Sequence, residues 1–387
     1  MAGIRLSILN AFTIDGEDMK IAMLTYSLKP RGGVVHALSL AEAIRKKGEH
    51  IELFALRRGD EIERYPGFFR ETSVPFKIFD FDWHEDIQKR LEAMISAYIK
   101  ELPLDFDIYH AQDCVCDRAL QRLSNLGRLT APIVRTIHHI EGFADVYLNR
   151  CEQEAIRGNT DKITVSKYWH DELLQRFGTE STVIYNGIEI GRYSFNTSDR
   201  EPFVLFVGGM EARKGLEFAI EAMEKLLRDG YNLRLIAVAR PGFRGVESKA
   251  WFDHLVERCG LTGKVEILET VPDERLIDLY SKGSVFLLTS RMEGWGLSIM
   301  EAMASGCPVV SASVGGVNEL VENGRTGILV SPGDVKGFAD AVARFLTDDS
   351  FRKTTVENAR KQLEKYSWDV SAERTIGLYN RILGEKG

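Results

Sequence analysis

The sequence predicts an α/β protein of two domains, each with a mainly parallel sheet that helices cover on both faces. Short apolar runs of strand length alternate with stretches of helical periodicity along most of the chain. Near residue 203, the order strand, glycine loop, helix, strand starts a second time. The length of 387 residues fits two domains, since a typical domain has roughly 150 residues.

The first domain opens with an apolar strand over residues 21–25, which is followed by Gly32-Gly33 and a helix. The buried face of this helix carries apolar residues at helical spacing: Val34, Leu38, Ala41 and Ile44. The next strand, over 51–56, completes a β–α–β unit. Further apolar runs continue the alternation, at residues 107–110, 132–137, 162–165 and 182–184. Strands that are joined through helices are expected to be parallel and buried on both faces.

A polar, turn-forming stretch over residues 191–202 interrupts this pattern. The pattern then restarts with a strand over 203–207, which leads into Gly208-Gly209. A helix over about 215–228 and a strand over 233–238 follow. This second unit echoes the first without close sequence identity, and it predicts a second domain of the same Rossmann-like kind.

These observations define the expected domain organisation. We predict a first Rossmann-like domain over residues 19–195 and a second over residues 202–366. The helical stretch over about 369–387 is expected to cross back and pack on the first domain. Residues 1–18, which precede Met19, are predicted to be a disordered N-terminal extension.

The composition excludes several classes of protein. A net charge of −7 argues against nucleic-acid binding, which usually requires a basic excess. No run approaches the ~18–20 apolar residues of a membrane span, and no apolar segment near the N-terminus suits a signal peptide. The five cysteines are scattered without a C-x-x-C pair, so they are predicted to be free thiols. We therefore expect a cytoplasmic protein.

The most informative segment, residues 290–310, follows an apolar strand over 284–289. Gly294 and Gly296 lie where that strand ends and a helix over 297–305 begins. Free backbone amides and the positive end of the helix form an anion site there, and glycines let a phosphate approach. Open α/β sheets bind their ligands at this edge. The segment therefore predicts a phosphate-binding loop.

Two glutamates, Glu293 and Glu301, lie eight positions apart around this loop. A carboxylate can accept two hydrogen bonds at once, which suits the diol of a sugar or ribose. Together with the G-W-G loop and the ending E-A-M-A-S-G-C-P-V-V, the segment resembles the signature of retaining glycosyltransferase family 4, also called glycosyltransferase group 1. In that signature, E-G-F-G-L precedes E-A-(M/L)-A-x-G-x-P-V-V, and Trp295 stands at the usual phenylalanine position.

The resemblance continues on both sides of the signature. Residues 315–319 are similar to the G-G-x-x-E pattern of the family, and residues 323–330 to its N-G-x-x-G-x-L-V pattern. Residues 207–215 resemble its G-R-x-x-x-x-K-G diphosphate loop. The resemblance is dense over 203–334 and looser over 20–190.

The resemblance implies the GT-B arrangement, in which two Rossmann-like domains face each other across a cleft. The second domain would bind a nucleotide-diphosphate sugar, and the first would bind a hydroxyl acceptor, which is a glycan, a lipid or a small molecule. Transfer would retain the anomeric configuration. No metal and no resident cofactor are implied, because the nucleotide sugar is a co-substrate.

The resemblance also implies roles for residues at matching positions. Glu293, His138 and Lys214 are the implied catalytic residues, and His138 would contact the donor sugar near the reacting carbon. Glu301 would hold the ribose, while Arg213 would join Lys214 in balancing the diphosphate charge. The other implied donor contacts come from backbone amides: Gly33, Gly294, Trp295, Gly296, Leu297 and Ser298.

Two departures from the family pattern affect the donor site. Gly209 stands where many relatives have arginine, so the phosphate contacts are expected to come from Arg213 and Lys214. Residues 237–241, Ala-Val-Ala-Arg-Pro, replace the usual G-x-G-P, which leaves UDP, GDP and ADP open as the donor nucleotide.

Several alternatives stay open. A sugar phosphorylase or nucleotide-sugar epimerase on the same fold would have a similar phosphate cleft, and a non-catalytic protein would bind the donor without turnover. His110 and Asp113 suit either a site role or a structural one. The aromatic residues after the second strand favour loop packing or an extra small cluster, with peripheral membrane contact as the alternative: Tyr65, Phe68, Phe69, Phe76, Phe79, Phe81 and Trp83. The oligomeric state is left unassigned.

Overall fold

The computed structural model describes residues 18–29, 31–58, 72–140, 145–198, 200–240 and 246–385. Apart from Asp18, the extension predicted over residues 1–18 lies outside the described residues, as do Tyr65, Phe68 and Phe69. The described chain forms two parallel sheets. The connection between them includes a short 3₁₀ turn at Ile190–Arg192.

The first sheet consists of parallel strands: β1 (Lys20–Thr25), β2 (His50–Arg57), β3 (Phe76–Asp80), β4 (Ile108–Ala111), β5 (Ile133–Ile137), β6 (Asp161–Thr164) and β7 (Thr182–Val183). Their order across the sheet is β3-β2-β1-β4-β5-β6-β7. Ile21 of β1 lies opposite Ile51 on one side and Ile108 on the other. The chain changes direction across the sheet at β1, and ligands of open α/β sheets bind at such a point, beyond the carboxyl ends of the strands.

The helices of the first domain lie between these strands: α1 (Gly32–Lys46), α2 (Ile87–Glu101), α3 (Cys114–Asn125), α4 (Val146–Arg157) and α5 (Lys167–Phe177). Four of them begin at a side chain that accepts a hydrogen bond from a first-turn amide: Asp86, Asp113, Asp145 and Ser166. Such caps satisfy amides that have no partner inside the helix. Helix α1 begins at the glycine pair without a side-chain cap.

The second sheet is also parallel: β8 (Glu201–Gly209), β9 (Arg234–Arg240), β10 (Val265–Leu268), β11 (Gly283–Leu288), β12 (Val309–Ala312) and β13 (Ile328–Val330). Its order is β10-β9-β8-β11-β12-β13, so β8 is the central strand at which the direction changes. The predicted restart of a strand, glycine loop and helix is therefore confirmed, and so is the class of two Rossmann-like domains. The predicted domain boundaries stay predictions.

Helices cover the second sheet: α6 (Leu216–Arg228), α7 (Val246–Arg258), α8 (Asp273–Lys282), α9 (Leu297–Ala304), α10 (Val317–Leu320), α11 (Val335–Thr347) and α12 (Asp349–Leu363). Helix α13 (Trp368–Gly384) follows them and packs against α1 of the first domain. Its buried residues share an apolar cluster with β1 and α1: Ala372, Leu378, Tyr379 and Ile382. The prediction that this helix crosses back is confirmed. Within the described ranges, no helix is long and apolar enough to span a bilayer.

The first sheet is buried on both faces, as its uninterrupted apolar strands predict. Ile21 and Met23 of β1 point into the cluster formed with α1 and α13. Ala22 and Leu24 point to the opposite face, into the cluster formed with α2 and α3. Alternate side chains of one strand therefore contribute to two separate cores.

Part of the aromatic stretch, for which loop packing or a small cluster is expected, forms the strand β3 instead of a loop. Residues 76–80 pair with β2 as the edge strand of the sheet. Phe79 is buried, and its ring centroid lies 5.8 Å from those of both Phe54 and Tyr98. Trp83 is 39% exposed, with the guanidinium groups of Arg58 and Arg90 against its ring. Packing therefore accounts for Phe79, whereas Trp83 remains at the surface.

A group of charged residues is buried beneath the first sheet: Asp117 on α3, Arg135 on β5, Glu152 on α4 and Lys162 on β6. Arg135 Nη2 lies 2.5 Å from Glu152 Oε1, and Arg135 Nη1 lies 3.6 Å from Asp117 Oδ2. Lys162 Nζ donates to the carbonyls of Gly158 and Thr160, each at 2.7 Å. Burial raises the pKa of Asp117 to about 6, although the charges of Arg135 and Lys162 oppose that rise.

This raised pKa predicts a pH-dependent contribution to stability. The carboxyl of an unfolded aspartate ionises near 3.8, so between pH 4 and 6 the folded protein holds a proton that the unfolded chain has lost. The contribution of Asp117 to the free energy of unfolding therefore increases as the pH falls from 7 to 4. Urea unfolding measures the free energy of unfolding of Asp117→Asn relative to that of the wild type. This difference should shift in favour of the variant by up to about 3 kcal/mol as the pH rises from 4 to 7.

The matched control for this measurement is Asp171→Asn. Asp171 forms an exposed pair with Lys167, and such pairs contribute little to stability. The difference in free energy of unfolding between this variant and the wild type should change little with pH. A difference for Asp117→Asn that is equally independent of pH would contradict the buried, partly protonated state of Asp117.

The two domains share one apolar cluster at the carboxyl ends of β5 and β6. Ile137, Val165 and Trp169 of the first domain pack there with residues of the second. Glu319 of α10 adds polar contacts across the same interface. Its Oε1 accepts from the Tyr168 amide at 2.8 Å, and its Oε2 accepts from the Lys167 amide at 3.0 Å and the Tyr185 hydroxyl at 2.9 Å. A carboxylate of one domain thus caps helix α5 of the other.

We expect Glu319→Ala to lower the free energy of unfolding by about 1–3 kcal/mol, because hydrogen bonds to a charged acceptor are lost. The midpoint of urea unfolding measures this effect. Glu322→Ala is the control, since Glu322 forms an exposed pair with Arg325 and its loss should cost less than about 1 kcal/mol. Equal midpoints for the two variants would contradict the role of Glu319 at the interface.

Candidate active site

The loop between β11 and α9 lies at the carboxyl edge of the second sheet. Gly296 ends this loop with a φ of +102° and begins α9 without a side-chain cap. The first-turn amides of a helix have no acceptor within the helix, so the amides of Leu297 and Ser298 suit an anion. Only glycine adopts such a φ readily, which explains its place before the helix.

Glu293 and Lys214 form the central ion pair of the site. Lys214 Nζ lies 2.5 Å from Glu293 Oε1, and Ser290 Oγ donates to the same oxygen at 2.8 Å. The Glu293 side chain is 9% exposed and that of Lys214 is 16% exposed. Burial would raise the pKa of Glu293, but the charge and hydrogen bond of Lys214 outweigh it and lower that pKa. Glu293 is therefore a buried carboxylate that is ionised at neutral pH.

The segment that carries Lys214 is fixed to the segment that carries Glu293. A 3₁₀ turn spans Ala212–Lys214, directly before α6. The Arg291 amide donates to the Arg213 carbonyl at 2.7 Å, and Thr289 Oγ1 donates to the Gly215 carbonyl at 2.7 Å. The two segments hold the basic side chains beside the acidic one independently of any ligand.

Arg213 lies in the same turn and is also paired. Its Nη2 is 2.8 Å from Glu211 Oε2. The two cations predicted to contact a diphosphate are thus each held by a carboxylate, Glu211 or Glu293. A bound anion would compete with these carboxylates for the two cations. It would interact with both positive charges at a partly desolvated site, where the attraction is stronger than in water.

Trp295 contributes its side chain to the core. Its indole is 2% exposed, and the ring centroids of Tyr185 and Tyr366 lie 4.6 and 5.1 Å from its own. The indole Nε1 lies 3.1 Å from Met300 Sδ. This packing anchors the loop, and the donor contact predicted at Trp295 can involve its backbone only.

Glu301 lies in a separate cluster from Glu293. Tyr280 donates its hydroxyl to Glu301 Oε2 at 2.7 Å, and Tyr193 also hydrogen-bonds to this carboxylate. Burial raises the pKa of Glu301, while the hydrogen bond from Tyr280 and the charge of Arg192 lower it. The predicted contact with a ribose stays a prediction, and a ribose hydroxyl would share the carboxylate with these tyrosines.

His138 and Gly33 meet the site from the first domain. His138 follows β5, and Gly33 is the second residue of α1. A Cβ atom on Gly33 would lie 3.3 Å from Cδ2 and Nε2 of the His138 ring. A Cβ atom on Gly294 would lie 2.2 Å from the His138 carbonyl oxygen. The structure thus brings the predicted residues of both domains together at the loop before α9.

A hydrogen-bond network behind His138 contains residues that the sequence analysis did not single out. Gln112 Oε1 lies 3.1 Å from His138 Nε2 and 3.0 Å from His36 Nδ1. The rings of His36 and His138 meet edge to face, with centroids 4.8 Å apart. The sequence pattern gives no signal for these residues, because His36 lies within an amphipathic helix and Gln112 directly after a buried strand.

His110 and Asp113, which suited two roles, have structural partners. His110 Nε2 lies 2.7 Å from Thr136 Oγ1, and its Nδ1 lies 2.5 Å from the Tyr379 hydroxyl. Asp113 accepts from the Cys116 amide as the cap of α3 and from the Tyr26 amide at 2.8 Å. Both side chains support the loops around the site.

The described residues contain no group of three or more His, Cys, Asp or Glu side chains placed to hold a metal ion. Asp80, the last residue of β3, forms a bidentate pair with Arg57 at 2.6 Å. The ion pairs around the loop at Gly294 include Lys214 with Glu293 and Arg213 with Glu211.

Two family models match the chain in succession. The model of Glycosyltransferase Family 4 matches residues 30–192, and that of Glycosyl transferases group 1 matches residues 189–362. The change from one to the other falls at the connection between the two sheets. Each model therefore covers one of the two Rossmann-like domains.

Full-length relatives and solved structures agree with this match. An uncharacterized glycosyltransferase of Methanocaldococcus jannaschii is 31% identical over 93% of this chain and 98% of its own length. A D-inositol 3-phosphate glycosyltransferase of Corynebacterium glutamicum is 26% identical over 95% and 98%.

Among solved structures, Anabaena HepE in complex with UDP and glucose has a TM-score of 0.80 at 22% identity and covers 94% of this chain and 100% of its own. Sucrose-phosphate synthase of Thermosynechococcus elongatus has a TM-score of 0.79 at 21% identity, with 95% and 100% covered. These structures share the GT-B fold found here. The chain therefore belongs to glycosyltransferase family 4, group 1, and is a glycosyltransferase.

Proposed function

We propose that this glycosyltransferase moves a sugar from a nucleotide-diphosphate sugar to a hydroxyl acceptor, with retention of the anomeric configuration and without a metal ion. The observation that carries the proposal is the Lys214–Glu293 pair, held 2.5 Å apart beside the uncapped start of α9 and opposite His138. A half-buried cation, an ionised carboxylate and helix amides meet there.

The donor diphosphate would lie against the start of α9. The amides of Leu297 and Ser298 and the side chains of Arg213 and Lys214 would face its oxygens. This places fixed positive charge where negative charge grows as the sugar leaves, an arrangement that contributes strongly to catalysis. The solved HepE complexes contain UDP, UDP-glucose, or UDP with glucose, which supports a nucleotide sugar as the donor.

In the proposed reaction, the bond between the sugar C1 and the diphosphate oxygen breaks, and the leaving diphosphate takes the bonding electrons. The acceptor hydroxyl attacks C1 from the same face and transfers its proton to an oxygen of that diphosphate. Glu293 would stabilise the positive charge that develops on the sugar ring. The diphosphate would act as the base, so a pair of catalytic carboxylates as in retaining glycosidases is not needed.

His138 and Gly33 would contact the donor from the first domain, whose sheet edge would hold the acceptor. Contact between the domains at Gly294 would exclude water and so suppress hydrolysis of the donor.

Four of the free cysteines, Cys114, Cys116, Cys151 and Cys307, are buried. Free thiols suit a reducing compartment, and we place the enzyme in the cytoplasm on that basis.

A thermal-shift panel of UDP-, GDP- and ADP-sugars tests donor binding, because a ligand raises the melting temperature by mass action. One nucleotide series should raise it, and the Lys214→Met variant should lose that response. NMR of the product anomer, with and without EDTA, then tests retention and metal independence. An inverted product, or activity abolished by EDTA and restored by a divalent ion, would contradict the corresponding part of the proposal.

A further inference from the structure

We propose that Gln112 is a positioning residue that holds the His138 imidazole in the tautomer with its proton on Nε2. The inference rests on the proposed function, in which His138 contacts the donor sugar. Gln112 Oε1 faces His138 Nε2 at 3.1 Å and His36 Nδ1 at 3.0 Å. An amide oxygen accepts hydrogen bonds and donates none, so both ring nitrogens that face it carry protons.

The other end of the Gln112 amide explains why its oxygen points this way. Gln112 Nε2 faces His110 Nε2 at 3.4 Å, and Thr136 Oγ1 lies 2.7 Å from the same ring nitrogen. An amide nitrogen only donates, so His110 Nε2 is the acceptor and the His110 proton resides on Nδ1. Nδ1 then donates to the Tyr379 hydroxyl at 2.5 Å. This His110 tautomer is the one that lets Gln112 donate from Nε2 while its oxygen points toward His138.

All three imidazoles are neutral at physiological pH. Burial lowers the pKa of His36 to about 4, and burial together with the charge of His36 lowers that of His110 to about 3. Burial, and then the neighbouring imidazoles, lower the pKa of His138 well below its usual value. A neutral ring has one N–H and one acceptor nitrogen, and the partner of one nitrogen decides the role of the other.

For His138, this leaves Nδ1 as the acceptor of the ring. Its Nε2 side is fixed by Gln112, by the edge of His36 and by the backbone of Gly33, whose Cβ position lies 3.3 Å from Nε2. In this tautomer the Nε2 proton is engaged by Gln112, and Nδ1 is the nitrogen that can accept a hydrogen bond, such as one from a hydroxyl of the donor sugar.

The network also ties His138 to helix α13. Tyr379 of α13 holds His110, and Trp368, the first residue of that helix, packs on His36 with ring centroids 5.5 Å apart. Both supports of the Gln112 amide thus depend on a helix that follows the second domain in sequence.

Nitrogen-15 NMR of the full-length protein with labelled histidine tests the inference, with His138→Asn used to assign the signal. The wild type should show a protonated Nε2 and an unprotonated Nδ1 for His138. Gln112→Leu should shift His138 toward the other tautomer and lower kcat about 10- to 100-fold, the size typical of losing an orienting partner. KM for the donor should change far less, because ground-state binding survives. Gln112→Glu, which keeps acceptor oxygens, should retain the Nε2–H signal.

Gln121→Leu is the matched control, since Gln121 is a buried glutamine of α3 whose Nε2 donates to the Ala155 carbonyl. It should leave the His138 signal and kcat unchanged. A wild-type His138 protonated on Nδ1, or an unchanged signal and kcat in Gln112→Leu, would overturn the inference. Failure of the wild type to transfer sugar from any donor would instead contradict the proposed function, while the tautomer signal would still decide the role of Gln112.

Discussion

Glu293→Gln should reduce kcat for sugar transfer by about 10³-fold while the protein stays folded. The substitution removes the negative charge that holds Lys214 Nζ at 2.5 Å and that would stabilise the developing charge on the sugar. Loss of one fixed electrostatic group typically costs about 10²–10³ in kcat. Steady-state kinetics with a saturating donor measure the effect, and circular dichroism checks the fold. Glu293→Ala should be at least as damaging, because it also leaves a cavity beside Lys214, whose side chain is only 16% exposed.

Glu217→Gln is the control for this experiment. Glu217 pairs with Arg291 and so also connects the segments around Lys214 and Glu293. Glu217 lies in the first turn of α6 and pairs with Arg291 rather than with Lys214, and we expect kcat within about threefold of the wild type. Turnover of Glu293→Gln at the wild-type rate would remove Glu293 from the catalytic machinery.

Gly294→Ala should lower kcat/KM about 10²-fold through a steric effect. The added Cβ would lie 2.2 Å from the His138 carbonyl oxygen, far inside the contact distance. The loop before α9 must then move away from the first domain and take Glu293 with it. Displacements of about 1 Å in an active site can cost about 10²-fold in rate.

Gly191→Ala is the matched glycine substitution, since a Cβ there would meet nothing within 4 Å. It should leave kcat/KM unchanged and keep or slightly raise the stability. Wild-type kinetics for Gly294→Ala would mean that the contact with His138 is dispensable for catalysis, and that the two domains meet at this loop for structural reasons only.

The fold could be predicted because its signals are local. Each strand is an apolar run, each helix has a buried stripe, and glycines stand where a strand ends and a helix begins. The loop at Gly294 was predictable for the same reason, since the strand, the glycines, the glutamates and the helix all lie within 28 consecutive positions, residues 284–311. The edge strand β3 was missed because its five residues, F-K-I-F-D, end in a charge and bury chiefly Phe79.

The supports of the site could not be predicted, because their signals are not local. His36 and Gln112 are 76 positions apart, and His110 and Tyr379 are 269 positions apart. A buried polar side chain needs a hydrogen-bond partner, and here that partner is close only in the folded chain and not in the sequence. Glu319 is similar, since its place in the G-G-x-x-E pattern does not indicate a cap on a helix of the other domain. Trp295 shows the converse, because its place in a motif does not reveal that its ring faces inward.

Helix α13 has a consequence for the order in which the protein can fold during synthesis. The core beneath α1 needs Ala372, Leu378, Tyr379 and Ile382, which the ribosome adds only after the whole second sheet. Domains usually fold as units from the N-terminus as they emerge. Here the apolar face of the first domain stays uncovered until α13 has been synthesised, after the second sheet. The network of His36, His110 and His138 would form among the last steps of folding, because Trp368 and Tyr379 of α13 support it. A nascent chain would therefore be inactive until α13 has packed on the first domain.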